Sequence, residues 1–511
     1  MKKKWFRKLF RRRILIALLI LIQVLFLIHL ISNGSQLSVQ FSQLLTLISS
    51  LAVLSIIAKK DKGSFKTLWV FLILSFPLFG GLLYILTNFQ AASRKMAEKL
   101  SSAEKKGAPL LSLPGDSYSE SQKQAGHNFS LIRYLQNFAG FPVYSNSSVR
   151  YLSPGESMLE ALLPELEKAE KYIFLEFFTV QEGVMWNSIL SILKGKAKDG
   201  VKVRLIYDDM GCFIHLPEDY PKQLEKFGIE CAIFNPFRPF LTSKQNNRDH
   251  RKIISIDGKV AFTGGINLAD EYINAFEKFG HWKDSAVMIQ GKAAWSFTVM
   301  ILEMWELCTG IGEDYSVYYP WHEGTCNIQT DGFVQPYADS PMDSDNVGEH
   351  VYMQILNQAQ DYVYITTPYL IVDDSMVSAL TFTAKRGVDV RIITPHKWDK
   401  WMVHMTTRSY YRDLINAGVK VYEYSTGFIH SKMFVSDDRI ATVGTTNLDY
   451  RSLYHHFECG ALIIDNSAVT EIKDDFINTL QISQQITSKD CTPPIPIRLF
   501  HDVLRLFAPL M

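Results

Sequence analysis

Three long apolar stretches occur before residue 90, at 14–31, 41–58 and 68–86, and none contains Asp, Glu, Lys or Arg. An α-helix needs about 17 to 25 residues to cross the hydrocarbon core of a bilayer, so each stretch predicts a transmembrane helix. The second stretch contains six Ser, Thr or Gln residues, and the third contains Pro77 and Gly80. A kinked or re-entrant segment is therefore the alternative for either one. We expect residues 1–90 to form a membrane region with two or three transmembrane helices.

The rest of the chain alternates between strand-like and helix-like segments. A polar stretch at 91–127 predicts a linker, either a tether or a short helix. After it, apolar runs rich in β-branched and aromatic residues, such as YIFLEFF and VKVRLIYD, alternate with amphipathic segments such as SMLEALLPELEKAEK. This alternation predicts an α/β fold.

The order of these segments is repeated within the chain. KYIFLEFF (171–178) corresponds to DYVYITTPY (361–369), and GVKVRLI (200–206) corresponds to GVDVRII (387–393). Such self-similarity predicts two similar α/β domains, one at 128–330 and one at 331–511. The first has about ten extra residues within 235–249, which we interpret as a loop over the functional site.

Charge and cysteine content add limited information. The 53 Lys and Arg nearly cancel the 52 Asp and Glu, which gives no whole-chain argument for nucleic-acid binding. Eight of the first thirteen residues are Lys or Arg, so we expect the N-terminus to stay in the cytoplasm. A cleaved signal peptide is the alternative for the first stretch, but no small-x-small cleavage site follows it. The six cysteines form no C-x-x-C pair and are predicted to be mostly buried thiols.

The distribution of charge does not decide on which side of the membrane the residues after 88 lie. The loop at 59–66 is basic, which favours the cytoplasmic side for it. Three crossings would place residues from 88 onward outside. Basic residues that follow the third stretch favour the inside instead.

The spacing His-x-Lys-x4-Asp occurs twice. The residues are His250, Lys252, Asp257, His430, Lys432 and Asp437. With thirteen histidines in the chain, chance predicts two such matches only about 0.0005 times. In a strand, the first and third residues of the motif point to the same face, so each copy can direct one imidazole and one ammonium at one point.

This pair of groups suits phosphoryl chemistry. An ammonium stabilises charge on a phosphoryl group without a metal, and a neutral imidazole can attack it or exchange a proton. Two sets that meet across a pseudo-two-fold axis predict one site, with one histidine as nucleophile and the other as proton donor. Asp257 and Asp437 each stand just before a turn, so a structural or orienting role competes with a catalytic one. We interpret the other eleven histidines as ordinary residues.

Both motifs extend to H-x-K-x4-D-x6-G-x2-N and resemble the signature of the phospholipase D superfamily. EFF (176–178), TTPYL (366–370) and NLDYRSLYHHFE (447–458) resemble bacterial cardiolipin synthases in particular. The resemblance covers about residues 40 to 511. It implies two pseudo-repeated phospholipase D-like α/β domains, each a mixed sheet flanked by helices, preceded by transmembrane helices.

The resemblance also implies a reaction and a set of site residues. The reaction makes cardiolipin and glycerol from two phosphatidylglycerol molecules through a phospho-histidine, without a metal or other cofactor. The nucleophile and the general acid/base are His250 and His430. Superfamily precedent favours His250 as nucleophile, but the two motifs are too similar to decide. Phosphate ligands are implied at Lys252, Lys432, Asn267 and Asn447. Acids that orient the histidines are implied at Asp284 and Glu458.

Other functions remain open at this point. A hydrolytic phospholipase D or a nuclease would use the same intermediate with water as acceptor, although the membrane stretches argue against a nuclease and against a nucleic-acid partner. Phosphatidylethanolamine is an alternative donor. An inactive scaffold would be expected to have lost a motif His or Lys, and all four are present. Oligomeric state is not indicated.

The expected partners are phosphatidylglycerol and anionic lipid in a bacterial cell membrane, which the protein crosses more than once. The tail at 495–511 combines Arg498, His501 and Arg505 with Ile, Leu and Phe. This composition predicts a helix at the membrane interface, with an ordinary helix that closes the core as the alternative.

Overall fold

The elements come from a computed structural model, which describes residues 2–32, 36–88, 91–111, 117–237, 245–321, 328, 330–492 and 494–511. The first helices are α1 (Lys2–Ser32), α2 (Gln36–Ala58), α3 (Gly63–Ser75), α4 (Pro77–Asn88), α5 (Ala91–Leu111), α6 (Ser117–Gln124), α7 (Phe129–Asn137), α8 (Gly155–Glu167) and α9 (Val184–Lys198). The later helices are α10 (Asp209–Cys212), α11 (Tyr220–Glu225), α12 (Ala294–Thr309), α13 (Val347–Gln358), α14 (Asp374–Lys385), α15 (Trp401–Asn416), α16 (Tyr450–Tyr454), α17 (Ser467–Gln481) and α18 (Ile495–Leu506).

The strands fall into two groups along the chain. The first group is β1 (Ser147–Leu152), β2 (Tyr172–Phe177), β3 (Lys202–Asp208), β4 (Ile229–Phe234), β5 (Arg248–Asp249), β6 (Lys252–Ile256), β7 (Val260–Gly264), β8 (His281–Lys283) and β9 (Ala286–Gly291). The second group is β10 (Phe333–Asp339), β11 (Tyr362–Thr366), β12 (Leu370–Ile371), β13 (Asp389–Pro395), β14 (Lys420–Tyr424), β15 (Gly427–Ile429), β16 (Met433–Ser436), β17 (Ile440–Gly444), β18 (Leu448–Asp449), β19 (His456–Ile464) and β20 (Ser483–Ile486).

Two large mixed sheets share one strand order. The first sheet runs β1-β9-β7-β6-β2-β3-β4, and the second runs β10-β19-β17-β16-β11-β13-β14 with β20 added at its edge. In each sheet the three strands at the β4 or β14 side are parallel and the others are antiparallel. The predicted repeat and the prediction of two α/β domains with mixed sheets are confirmed.

Helices cover the sheets and connect the two halves. Every residue of β2 is buried, as expected for a strand in the parallel part of a sheet that is covered on both faces. The helix α12 is mostly buried, lies on the first sheet and also contacts β10 of the second. Its counterpart α17 lies on the second sheet and contacts β1 of the first. The two halves therefore pack as one body.

The N-terminal helices differ from the prediction at the third apolar stretch. Within the described residues, one segment, Val39–Ala58, is long and apolar enough to cross a membrane, and the apolar segment Ile16–His29 of α1 is shorter. The stretch at 68–86 is divided between α3 and α4, of 13 and 12 residues. The prediction of one spanning helix there is wrong, because Pro77 cannot continue the hydrogen bonds of α3.

The helices α3 and α4 form a hairpin. The rings of Trp69 and Tyr84 lie 5.1 Å apart. A Cβ at Gly80 would lie 2.4 Å from the Leu72 carbonyl oxygen, so only glycine permits this close approach. The hairpin agrees with the re-entrant alternative for this stretch.

The segment between the membrane region and the first sheet is mostly helical. In the predicted linker, α5 packs along α12 and buries Met96 and Leu100. The following α7, which the prediction assigned to the first half, buries Leu131, Ile132 and Leu135 in the core of the second half. This segment therefore connects both halves rather than acting as a free tether.

The described cysteines are free thiols. Cys212 and Cys459 are buried, and Cys231, Cys308 and Cys491 are half-buried. Cys326 lies outside the described residues.

The two motif aspartates hold strand ends in place. The carboxylate of Asp257 accepts hydrogen bonds from the backbone amides of Glu170, Lys171 and Tyr172 at 2.7 to 2.8 Å. Asp437 accepts from the three equivalent amides at 360–362, at 2.8 to 3.0 Å. Both residues are left-handed, with φ of 52° and 55°, a conformation that Asp and Asn tolerate better than other side chains. These contacts support the structural role.

We predict that Asp257→Ala destabilises the protein by about 2 to 4 kcal/mol, because three backbone donors lose a charged acceptor. The measurement is the thermal unfolding midpoint of the full-length protein in detergent micelles. Asp257→Asn is the matched control, since it keeps one acceptor oxygen and tolerates the left-handed backbone, and it should lose less. An unchanged midpoint for Asp257→Ala would contradict the structural role.

Candidate active site

Short strands exchanged between the two halves bring the motif histidines to one place. In the first half, β5 runs parallel to β19 of the second half, with Asp249 opposite Phe457. In the same way, β8 of the first half runs parallel to β15 of the second, with Lys283 opposite Ile429. In the first pairing, the residue after Asp249 is His250 and the residue after Phe457 is Glu458. In the second pairing, the residue after Lys283 is Asp284 and the residue after Ile429 is His430. The register therefore places each histidine beside an acid of the other half.

Each imidazole is oriented by that acid. His250 Nδ1 lies 2.9 and 3.0 Å from the two carboxylate oxygens of Glu458. His430 Nδ1 lies 2.8 Å from Asp284 Oδ2. The backbone N–H of His250 also donates to the Phe457 carbonyl at 2.9 Å. Since Nδ1 is engaged in both rings, Nε2 is the nitrogen that each ring can offer to a ligand.

The motif lysines lie beneath the histidines. Lys252 and Lys432 are almost fully buried. Lys252 Nζ donates to the His250 carbonyl at 2.6 Å, and Lys432 Nζ contacts the His430 carbonyl and lies 2.7 Å from His430 Nδ1. The prediction that each histidine and lysine share one strand is wrong, because His250 precedes β6 and His430 precedes β16. The pairs nevertheless stay in contact.

Burial keeps both imidazoles neutral at pH 7. It lowers the pKa of His250 well below its ordinary value, and Lys252 lowers it further. Burial and then Lys432 lower the pKa of His430 to about 4. Neutral imidazole is the form that can attack an electrophile or accept a proton.

Burial also changes the proton affinity of the groups around the imidazoles. It lowers the pKa of Lys252 to about 8, against the opposing effect of nearby carboxylates. The pKa of Lys432 falls to about 7 for the same reason. Burial raises the pKa of Glu458 well above its ordinary value. Burial therefore disfavours the charged forms of the lysines and of Glu458 alike, and an anionic ligand would stabilise the ammonium forms.

One cavity of about 620 Å³ between the halves is lined by both histidines and both predicted asparagines. Asn267 Nδ2 donates to the Tyr272 hydroxyl at 2.7 Å. Asn447 Nδ2 donates to Asp449 at 3.0 Å, and its buried Oδ1 has no hydrogen-bond partner among the described residues. Aromatic rings form much of the remaining wall, including Phe178, Trp282, Tyr369 and Phe428.

The predicted site residues do not all meet at this cavity. The histidines, lysines, asparagines and orienting acids are brought together, whereas Asp257 and Asp437 follow the far ends of β6 and β16 and do not line it. Of the loop at 235–249, residues 238–244 lie outside the described residues. Arg248, which follows them, lines the cavity.

His456 is a site residue that the sequence interpretation missed. Its ring lies 5.4 Å from the His250 ring, and neither of its nitrogens has a hydrogen-bond partner among the described residues. It stands two positions before Glu458 in β19, so both point to the same face of the strand. This spacing was the signal available in the sequence.

His456 also belongs to a group that has the geometry to hold a cation. Ligand atoms of His250, His456 and Glu458 lie within 4.8 Å of one another. An ion there would compete with the hydrogen bond between Glu458 and His250 that orients the imidazole.

Two family profiles match the chain. The cardiolipin synthase, phospholipase D-like domain matches residues 162–294 and 352–480, one match in each half. The phospholipase D-nuclease N-terminal profile matches residues 47–87, which include α3 and most of α4.

Several known proteins are similar over most of the chain. The cardiolipin synthase of Alkalihalophilus pseudofirmus is 34% identical, over 89% of this chain and 91% of its own. That of Halalkalibacterium halodurans is 32% identical, over 98% and 99%. An uncharacterised protein of Streptococcus mutans is 45% identical, over 87% of this chain and 96% of its own.

A solved structure supports the fold. Phosphatidylserine synthase of Haemophilus influenzae superposes with a TM-score of 0.57 at 15% identity, over 74% of this chain and 99% of that one. At this identity the likeness concerns the fold alone. With the paired motifs, the two mixed sheets and the curated relatives, the chain belongs to the cardiolipin synthase family of phospholipase D-like phosphatidyltransferases.

Proposed function

We propose that the protein transfers a phosphatidyl group from one phosphatidylglycerol molecule to another, which yields cardiolipin and glycerol. The observation that carries this proposal is the single cavity into which both motif histidines face, each held by an acid of the other half. A nucleophile and a proton donor on opposite sides of one phosphorus atom are what an in-line transfer requires.

The reaction has two steps that share one proton. In the first, one histidine forms a nitrogen–phosphorus bond while the other protonates the oxygen of the leaving glycerol. In the second, the deprotonated histidine takes a proton from the hydroxyl of a second phosphatidylglycerol. The oxygen of that hydroxyl then displaces the first histidine from phosphorus. Binding of an anionic phosphodiester raises the pKa of the nearby imidazole and supplies the protonated form that the first step needs.

We assign His250 as the nucleophile. Its Nδ1 faces the Glu458 carboxylate, which favours a proton on Nδ1 and leaves the Nε2 lone pair for attack. His430 Nδ1 also faces a carboxylate, that of Asp284 at 2.8 Å, but Lys432 Nζ lies 2.7 Å from the same nitrogen and competes with a proton there, which makes His430 the poorer nucleophile. Asp284 stabilises this ring when both nitrogens are protonated.

The lysines and asparagines have supporting roles in this proposal. Lys252 and Lys432 supply positive charge from beneath the rings, where low solvent exposure strengthens it. The side chains of Asn267 and Asn447 line the cavity and can bind phosphate oxygens after a change of partner. No step requires a metal ion.

We further propose that the protein crosses the membrane twice and has its active site on the cytoplasmic face. The rings of Phe26 in α1 and Phe41 in α2 lie 5.8 Å apart, so the two helices touch at this point. The α3–α4 hairpin enters the same layer, since Gln23 of α1 accepts hydrogen bonds from the backbone amides of Leu78 and Phe79 at its tip. Two crossings and a hairpin return the chain to the side of the basic N-terminus.

The exposed apolar surface agrees with this placement. On α18, Ile495, Leu499 and Val503 lie on one face and are 82%, 64% and 45% exposed. Trp401, also exposed, stacks on Phe500 of the same helix at 5.9 Å. Aromatic and aliphatic side chains of this kind bind the membrane interface, which supports the interfacial role of the tail.

Purified full-length protein with phosphatidylglycerol in mixed micelles should release cardiolipin and glycerol in equal amounts. His250→Ala and His430→Ala should each lower the rate by several orders of magnitude, because each removes a group that takes part in bond making or proton transfer. Chromatography of the lipid products, with circular dichroism to check folding, measures both effects. EDTA should leave the wild-type rate unchanged.

Several outcomes would contradict the proposal. Phosphatidic acid as the main product would indicate hydrolysis. Cardiolipin formed only when phosphatidylethanolamine is added would indicate a different donor. A loss of only a few-fold in a folded histidine variant would contradict a shared site, and inhibition by EDTA would point to an ion at His250, His456 and Glu458.

For the topology, protease added to intact protoplasts should leave residues beyond 90 uncut, because the catalytic body lies inside. The same protease should cut exposed loops once the protoplasts are lysed, and this sample is the control for accessibility. Immunoblotting of the fragments measures the difference. Cleavage beyond residue 90 in intact protoplasts would contradict the cytoplasmic placement.

A further inference from the structure

A second cavity lies between the membrane region and the catalytic body, and we call it the junction cavity. Its volume is about 480 Å³. The loop between α2 and α3, the α3–α4 hairpin and helix α16 form its walls. None of the predicted site residues lines it, and the proposed reaction assigns it no role.

The junction cavity carries unneutralised positive charge. Lys62 lines it but is held by Glu349 at 2.8 Å and Asp373 at 3.2 Å. Lys60 and Arg451 also line it, and neither has an ion pair within the described ranges. The remaining cation, Lys66, donates to the Ile57 carbonyl at 3.0 Å and has no ion pair in the part of the chain that the structure describes.

A single acidic side chain of the described wall opposes these cations. Asp61 stands next to Lys60 in the loop between α2 and α3 and lines the junction cavity. With Lys62 and its two partners included, four cations face three carboxylates, which leaves a net positive surface that favours an anionic ligand over a zwitterionic one.

Helix α16 separates the junction cavity from the catalytic cavity. It follows Asn447 and precedes His456, and its N-cap Asp449 accepts a hydrogen bond from the Ser452 amide at 2.8 Å. Arg451 on this helix lines both cavities, and Leu510 does so as well. The two cavities are therefore neighbours, and the Arg451 side chain lines both.

The opposite wall is apolar and aromatic. Phe65, Trp69 and Tyr84 of the α3–α4 hairpin line the junction cavity. The hairpin continues into the layer formed by α1 and α2. Trp and Tyr prefer the level of lipid headgroups, so a phosphate at the cations would leave the acyl chains beside the hairpin.

We propose that the junction cavity binds a second anionic phospholipid, with its phosphate on Lys60, Lys66 and Arg451. Given the proposed function, this lipid is the phosphatidylglycerol acceptor. Its terminal glycerol hydroxyl is the part that must reach the phospho-histidine, past the side of α16 where Arg451 and Leu510 line both cavities. The donor occupies the catalytic cavity, so the two lipids bind at different places and Arg451 lies between them.

The test separates acceptor binding from the rest of the reaction. Full-length protein in mixed micelles receives phosphatidylglycerol as donor, with either phosphatidylglycerol or ethanol as acceptor. Ethanol is small and needs no lipid site, so phosphatidylethanol formation reports the donor site and the chemistry alone. Cardiolipin formation reports the acceptor site in addition.

In the double variant Lys60→Gln, Lys66→Gln, the phosphatidylglycerol fraction that half-saturates cardiolipin formation should rise about 10-fold. Phosphatidylethanol formation should change less than about two-fold. Arg451→Gln should also lower cardiolipin formation about 10-fold. Lys105→Gln is the control for loss of a lysine, because Lys105 of α5 is exposed and does not line the cavity.

The proposal is overturned if both products fall in parallel in the double lysine variant, or if neither changes. A binding measurement keeps the test independent of the reaction. In phosphatidylcholine vesicles with a photoactivatable phosphatidylglycerol analogue, the His250→Ala protein should be labelled within 60–69 or 450–455. The two lysine substitutions should reduce this labelling several-fold, and labelling confined to other segments would also overturn the proposal.

Discussion

Two short parallel strand pairings between the halves determine the active site. The pairing of β5 with β19 sets Glu458 beside His250, and the pairing of β8 with β15 sets Asp284 beside His430. Strands of two or three residues are not stable alone, so their register depends on the large sheets that flank them. Neither half contains a complete histidine–acid pair. The internal repeat therefore produces one composite site instead of two separate ones.

Charge balance connects this geometry to the substrate. Two ammonium groups, two imidazoles and two carboxylates are buried at one place, and burial disfavours each charged form. The cross-half pairs offset part of this cost, but burial still lowers the pKa of Lys252 and Lys432. An anionic phosphodiester between the imidazoles supplies compensating charge. The same reasoning applies to the junction cavity, where Lys60, Lys66 and Arg451 have no ion pair among the described residues and lie beside an apolar hairpin.

Much of this arrangement could be predicted from the sequence. The rest could not, and the physical reason can be given for each part. The repeated motif located both imidazoles and both lysines, and the segment order predicted two mixed sheets. The exchange of β5 and β8 left no signal, because strands this short have no hydrophobic period. Hydropathy alone predicted one spanning helix at 68–86, since both sides of Pro77 are equally apolar, although the proline itself indicated the break. His456 was overlooked because Glu458 was identified from the family resemblance. The two-residue repeat of a strand, which places His456 on the same face as Glu458, was not used.

The number of covalent phosphatidyl groups per chain tests the composite site most directly. The full-length protein would be mixed with phosphatidylglycerol labelled at phosphorus, quenched in alkali within one turnover, and analysed by peptide mass spectrometry. A shared site predicts at most one equivalent of label per chain, located on His250. Two equivalents, with His250 and His430 labelled in the same molecule, would show that each half acts alone and would contradict the account.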